Sequence, residues 1–72
     1  MPHVIVKMFP GRTEEQKQLL TAEITKAVMT ALGSPDKAVS VAIEDVAKED
    51  WNEAVYKPDI AARPEIIYKQ PG

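Results

Sequence analysis

The 72-residue chain contains no cysteine, which excludes disulfides, thiolate nucleophiles and every cysteine-based zinc site. Its single histidine, His3, cannot form a histidine cluster around a metal. No glycine-rich phosphate loop, Ser/His/Asp set or cofactor fingerprint is present, so neither metal nor cofactor is expected. Apolar runs fall far short of a membrane span and no charged-then-apolar leader opens the chain. A cytoplasmic protein, with no membrane partner, is the expectation. Charge of one sign is not in excess either: 9 Lys and Arg face 11 Asp and Glu, a net −2, with the signs interspersed. That leaves no basic stripe for a phosphate backbone, and nucleic acid is not an expected partner.

What is present makes one domain, residues 1–72, with no room for a second folding unit. A chain of this size buries only about 60% of the surface its unfolded form exposes. Without disulfides or metal, oligomerisation is the natural source of further burial.

Residues 2–9, Pro-His-Val-Ile-Val-Lys-Met-Phe, read as a strand ending at Pro10-Gly11. Val4, Val6 and Met8 share one face and His3, Ile5 and Lys7 the other, and apolar residues on both suggest cover on both sides. Thr13-Glu14-Glu15-Gln16 fits a capping box, with its acidic pair at the positive end of a helix dipole. The spacing predicts a helix over about 14–32, with Leu20, Ile24, Ala27, Val28 and Ala31 inward, stopped by Gly33 and Pro35. Ala38–Glu44 reads as a second strand, bulky at Val39, Val41 and Ile43 and small at Ala38, Ser40 and Ala42. Strand, long helix and strand make an α+β chain built on one βαβ unit with parallel strands. In the tail, 48–56 suits a short helix with Trp51 and Val55 on one side. Pro58, Pro64 and Pro71 break up anything longer, leaving one turn at 58–61 and an extended 66–69.

Chemistry has few candidates. Methionine before a small residue such as Pro2 is commonly removed, which leaves a secondary amine. Desolvation or a nearby cation lowers such an amine towards the range of a general base. With Met1 attached the same nitrogen is an amide and cannot act as one. Arg12 stands just before the helix cap. It reads either as a solvated loop cation or, with the first-turn amides, as a carboxylate grip. Trp51, the one Trp, suits core or interface. His3 suits a strand residue with a satisfied ring, and Glu44-Asp45 and Glu49-Asp50 suit solvated charges.

Together, Pro2 after Met1, the segment Pro10-Gly11-Arg12-Thr13-Glu14-Glu15-Gln16-Lys17 and the aromatic at 51 resemble the 4-oxalocrotonate tautomerase family. The resemblance implies that Pro2 is the general base moving a proton between the enol oxygen and carbon of a 2-keto acid. It implies that Arg12 binds the substrate carboxylate and that Trp51 keeps the proline site dry. Ser40 falls where the family carries a second arginine, which points away from a dicarboxylate and towards a phenylenolpyruvate-like monocarboxylate. The Ser and Trp positions, with a tail lacking the glycine-rich hairpin of hexameric members, are similar to the family's dimeric PptA-type branch. A homodimer is therefore expected over a hexamer, the partner chain completing the sheet and the tail covering the face that hexamers bury. Two alternatives stay open: a hydratase or dehalogenase of an unsaturated acid using cationic Pro2, and an inactive binding or assembly module. A concave site joining Pro2, Arg12 and Trp51 would favour catalysis; a site closed by the tail would favour the inactive module.

Overall fold

The computed structural model describes residues 1–72. Strand β1 (His3–Met8) is followed by helix α1 (Glu14–Leu32) and strand β2 (Ser40–Asp45), and the strands pair in parallel. His3 lies opposite Ser40, Ile5 opposite Ala42 and Lys7 opposite Glu44. The ladder runs one step further at each end, with Ser40 N–H donating to the Pro2 carbonyl and Val46 N–H to that of Met8. A wide, π-type helix, α2 (Asn52–Ala61), follows a single turn at Lys48–Asp50. No helix is long and apolar enough to cross a membrane.

The start of α1 is the expected capping box. Thr13 Oγ1 accepts from Gln16 N–H at 3.1 Å, and Gln16 Oε1 accepts from Thr13 N–H at 2.8 Å. Two amides that no helical carbonyl could reach are thereby satisfied. Thr13→Ala removes half of this box and is expected to cost about 1 kcal/mol. A melting curve should fall by roughly 4–8 °C in a chain this small. At the other end Gly33 takes a left-handed φ of 71°, and its N–H closes on the Met29 carbonyl.

The helix lies against β2, setting Leu20, Ile24 and Val28 over the half-buried face of Val4, Val6, Met8, Val41 and Ile43. Ala27 and Ala31, expected to point inward, are exposed. Thr21 and Thr25 are half-buried instead, their hydroxyls donating back to the carbonyls one turn earlier. Asp45 is not a free solvated charge, because Lys17 Nζ reaches across from α1 to its carboxylate at 2.9 Å. The second strand starts two residues later than predicted. Pro35 opens a turn at Asp36–Ala38 in which Ala38 and Val39 spend their N–H groups on Pro35 and Asp36.

The tail differs most from expectation. One helix runs through Pro58 rather than stopping before it. Widening the turn relieves the clash of the proline ring with the preceding carbonyl, and the bond from Ala62 N–H to Lys57 O spans five residues. Residues 66–69 form no strand; Ile66 closes a turn begun at Pro64 and Tyr68 stands free in solvent. Val55 is buried and Trp51 half-buried, as their shared side predicts.

Helix α2 crosses the second sheet face at one end only. Lys7 Nζ meets Asp59 Oδ2 at 2.5 Å, yet Ile5 on the same face remains 56% exposed. Cover on both sides of β1 is thus partial within one chain. Only Val46 and Val55 are buried, and the accessible surface is 5655 Å². A folded monomer of this mass exposes about 4,450 Å². The radius of gyration, 13.6 Å, likewise exceeds the roughly 11 Å expected of 72 compact residues.

Candidate functional site

Position along the two strands decides which candidates meet. Pro2 and Ser40 stand at the N-terminal ends of β1 and β2, one bond apart through Ser40 N–H and the Pro2 carbonyl, 3.1 Å. The Ser40 hydroxyl lies 2.6 Å from His3 Nδ1 on the open sheet face. Arg12 and Trp51 stand beyond the C-terminal ends. Six residues of strand separate the two groups, roughly 20 Å at strand rise. Within one chain, the cavity joining Pro2 to Arg12 and Trp51 therefore does not form. The tail does not close it either, because α2 lies at the Lys7 end of the face, away from Pro2.

At the C-terminal end a cavity of about 500 Å³ is lined by Lys7, Met8, Phe9, Pro10, Arg12 and Trp51. Gly11 makes this corner possible, its φ of 120° being one that a side chain rarely tolerates. Turned by Gly11, Arg12 borders both this cavity and a smaller one, about 210 Å³, with Met8, Gln16 and Leu20. No carboxylate pairs with Arg12 anywhere in the chain. The aromatic wall is a T-shaped pair: the Phe9 and Trp51 rings are 5.0 Å apart at 82°. Lys48 Nζ sits 5.9 Å from the Phe9 ring centre. An unpaired guanidinium beside aromatic rings suits an anion carrying an apolar tail.

Lys7 is differently placed, because Asp59 neutralises it. Its ammonium is held above the ordinary value of 10.5 chiefly by the hydrogen bond to Asp59, against an opposing desolvation and with smaller attractions from the Asp59 and Glu44 charges. A raised lysine value means that the contact contributes fully below about 10.5 and is lost as pH climbs through the raised value. Trp51 fluorescence should report an alkaline transition as α2 loosens from β1, and Asp59→Asn should abolish it. A transition that persists in Asp59→Asn would assign the loosening to another group.

Phe9, Lys7 and His3 are the site members that sequence reasoning left out. For His3 a signal existed, since its face of β1 and the small face of β2 were both legible. Only the register set it opposite Ser40.

The sequence profile of the tautomerase enzyme family matches residues 2–55. The chain is 46% identical over its whole length to a probable tautomerase of Xylella fastidiosa, covering 88% of that protein. It is 37% identical, again over all of its length and 96% of the relative's, to tautomerase PptA of Escherichia coli. Among solved structures, a 4-oxalocrotonate tautomerase isozyme of Methylibium petroleiphilum superposes with a TM-score of 0.67 at 44% identity, over 69% of this chain and 81% of that one. A structure described for trans-3-chloroacrylic acid dehalogenase activity superposes with a TM-score of 0.66 at 28% identity, over 68% and 92%.

Proposed function

Because the chain belongs to the 4-oxalocrotonate tautomerase family and is a tautomerase-type isomerase, we propose that it ketonises a phenylenolpyruvate-like monocarboxylate, with the Pro2 nitrogen as base. Removal of Met1, which is fully exposed, frees that nitrogen. The observation that carries the substrate class is Arg12, unpaired at a cavity walled by Phe9 and Trp51. Arg12 holds the carboxylate, and the aromatic walls take the apolar tail. Pro2 nitrogen removes the enol hydroxyl proton, and the resulting cation returns a proton to the neighbouring carbon, leaving the ketone. Trp51 limits water at the base, which disfavours its protonated form.

Since Pro2 and Arg12 occupy opposite ends of β1, the reading places the working site between two chains. In a two-fold pair, the Pro2 end of one copy meets the Arg12–Trp51 end of the other, and this happens twice. The excess surface supports such an assembly: roughly 1,200 Å² beyond a monomer's due exceeds the ~800 Å² that each partner gives to a standard interface. A homodimer of one domain, 1–72, acting in the cytoplasm, is the proposed form.

The test is ultraviolet detection of phenylenolpyruvate ketonisation by protein shown by mass to lack Met1, beside Pro2→Ala. Turnover lost in the variant supports the reading. Turnover no better than the variant's sinks it and favours the inactive module. The likeness to the dehalogenase structure motivates a second reading, hydration of an unsaturated acid by cationic Pro2. It requires activity that falls, rather than rises, as the proline loses its proton.

A further inference from the structure

The reaction proposed above creates negative charge on the substrate's 2-oxygen while the proton is in transit. Arg12 of the same chain lies at the far end of β1, and the partner's Arg12 is committed to the carboxylate. At Pro2's own end of the strands stand His3 and Ser40, which are register partners. Their Nδ1 to Oγ separation of 2.6 Å is short for a nitrogen–oxygen hydrogen bond. The hydroxyl has one proton, so this contact settles what the serine can offer outward. If Nδ1 is the acceptor, the hydroxyl proton is spent on the ring. If Nδ1 carries the proton, it donates to Oγ and the hydroxyl proton is free to point elsewhere.

We propose that His3 is a positioning residue that donates from Nδ1 to Ser40 Oγ, so that the Ser40 hydroxyl donates to the enolate oxygen forming beside Pro2. This rests on Pro2 being the base. No proton leaves the pair during turnover, and both hydrogen bonds strengthen as charge grows on the oxygen, where preorganised donors act. The backbone bond from Ser40 N–H to the Pro2 carbonyl fixes the serine relative to the base. Glu44 and Lys7, the nearest charged pair on that sheet face, lie four residues along, and Lys7 is tied to Asp59. They leave the His3–Ser40 contact undisturbed.

Four variants of the Met1-free protein test this by steady-state ketonisation of phenylenolpyruvate: Ser40→Ala, His3→Ala, the double variant and His3→Asn. Ser40→Ala should lower kcat by about 10- to 100-fold with little change in KM, less than a fully enclosed oxyanion donor because the face is open. His3→Ala should lower kcat comparably, and the double variant should be no worse than the poorer single one. His3→Asn, whose amide N–H stands in for Nδ1–H, should recover most of the loss. Effects that multiply in the double variant, an asparagine no better than alanine, or a Ser40→Ala kcat within twofold of wild type would each overturn the relay. Circular dichroism confirms folding of each variant. Wild-type turnover that disappears in Pro2→Ala shows that the base assignment holds whichever way the relay falls.

Discussion

Pro2→Ala, compared with wild-type protein after Met1 removal from both, should ketonise phenylenolpyruvate with a kcat lower by about 10²- to 10⁴-fold, the span a positioned acid–base group contributes. The variant keeps a terminal nitrogen, so the loss measures what proline adds: a secondary amine with a fixed φ at the head of a strand. Its carbonyl already accepts from Ser40 N–H, and the ring is half-buried. Alanine keeps that bond but gains rotational freedom about the nitrogen. The same assignment makes a second, sharper demand. Protein that retains Met1 carries an amide at Pro2, which has no basic lone pair, and should be as slow as the variant although its fold is identical. Mixing processed and unprocessed preparations should give activity in proportion to the processed mass fraction. Ordinary terminal amines titrate at about 7.7–8.0. Activity should rise as pH passes the proline's own value from below and then level off, because only the neutral amine accepts a proton. A full-speed Met1-bearing protein would remove Pro2 from the mechanism.

How far the sequence disclosed this arrangement depends on the range of the forces involved. The α1 boundaries follow from local chemistry, since Thr13, Gln16 and Gly33 satisfy or terminate the helix within four residues of themselves. Strand faces were legible for the same reason: alternation is a property of a single segment. The path through Pro58 was not, because a proline ordinarily ends a helix and only the wide turn makes room for it. That turn carries Asp59 to Lys7, fifty-two residues earlier, a contact no local pattern contains. Ala27 and Ala31 missed the core because two strands are too narrow to cover a full helix stripe, and Leu19 and Leu32 stay exposed with them. For the site, the family resemblance, added to residue types, pointed to Pro2, Arg12, Ser40 and Trp51, but their division between the two ends of β1 is a matter of register. Pairing His3 with Ser40 needed that register too.

Arg12→Ala should raise KM for the monocarboxylate far more than it lowers kcat, by about 10- to 100-fold in kcat/KM, the worth of a charge-assisted bond to a carboxylate. Since no residue of its own chain pairs with Arg12, the substitution leaves no orphaned carboxylate behind, and stability should hold. An unchanged kcat/KM would contradict the carboxylate contact. Its greater use comes from combining it with Pro2→Ala. If Pro2 of one chain works with Arg12 of its partner, a mixed pair of the two variants contains one site with both lesions and one with neither. Random exchange of subunits makes half the pairs mixed, so about a quarter of all sites regain wild-type composition in a two-fold assembly. Assayed at substrate well below KM, where both variants are slow, an equimolar mixture unfolded and refolded together should therefore restore close to that fraction of wild-type activity. A site built within one chain predicts no recovery, since every site would then hold one lesion. The roughly 20 Å of strand between Pro2 and Arg12 argues for recovery. Failure to recover, with subunit exchange verified by mass, would require β1 and the loop after it to rearrange so that one chain's Arg12 could reach its own Pro2.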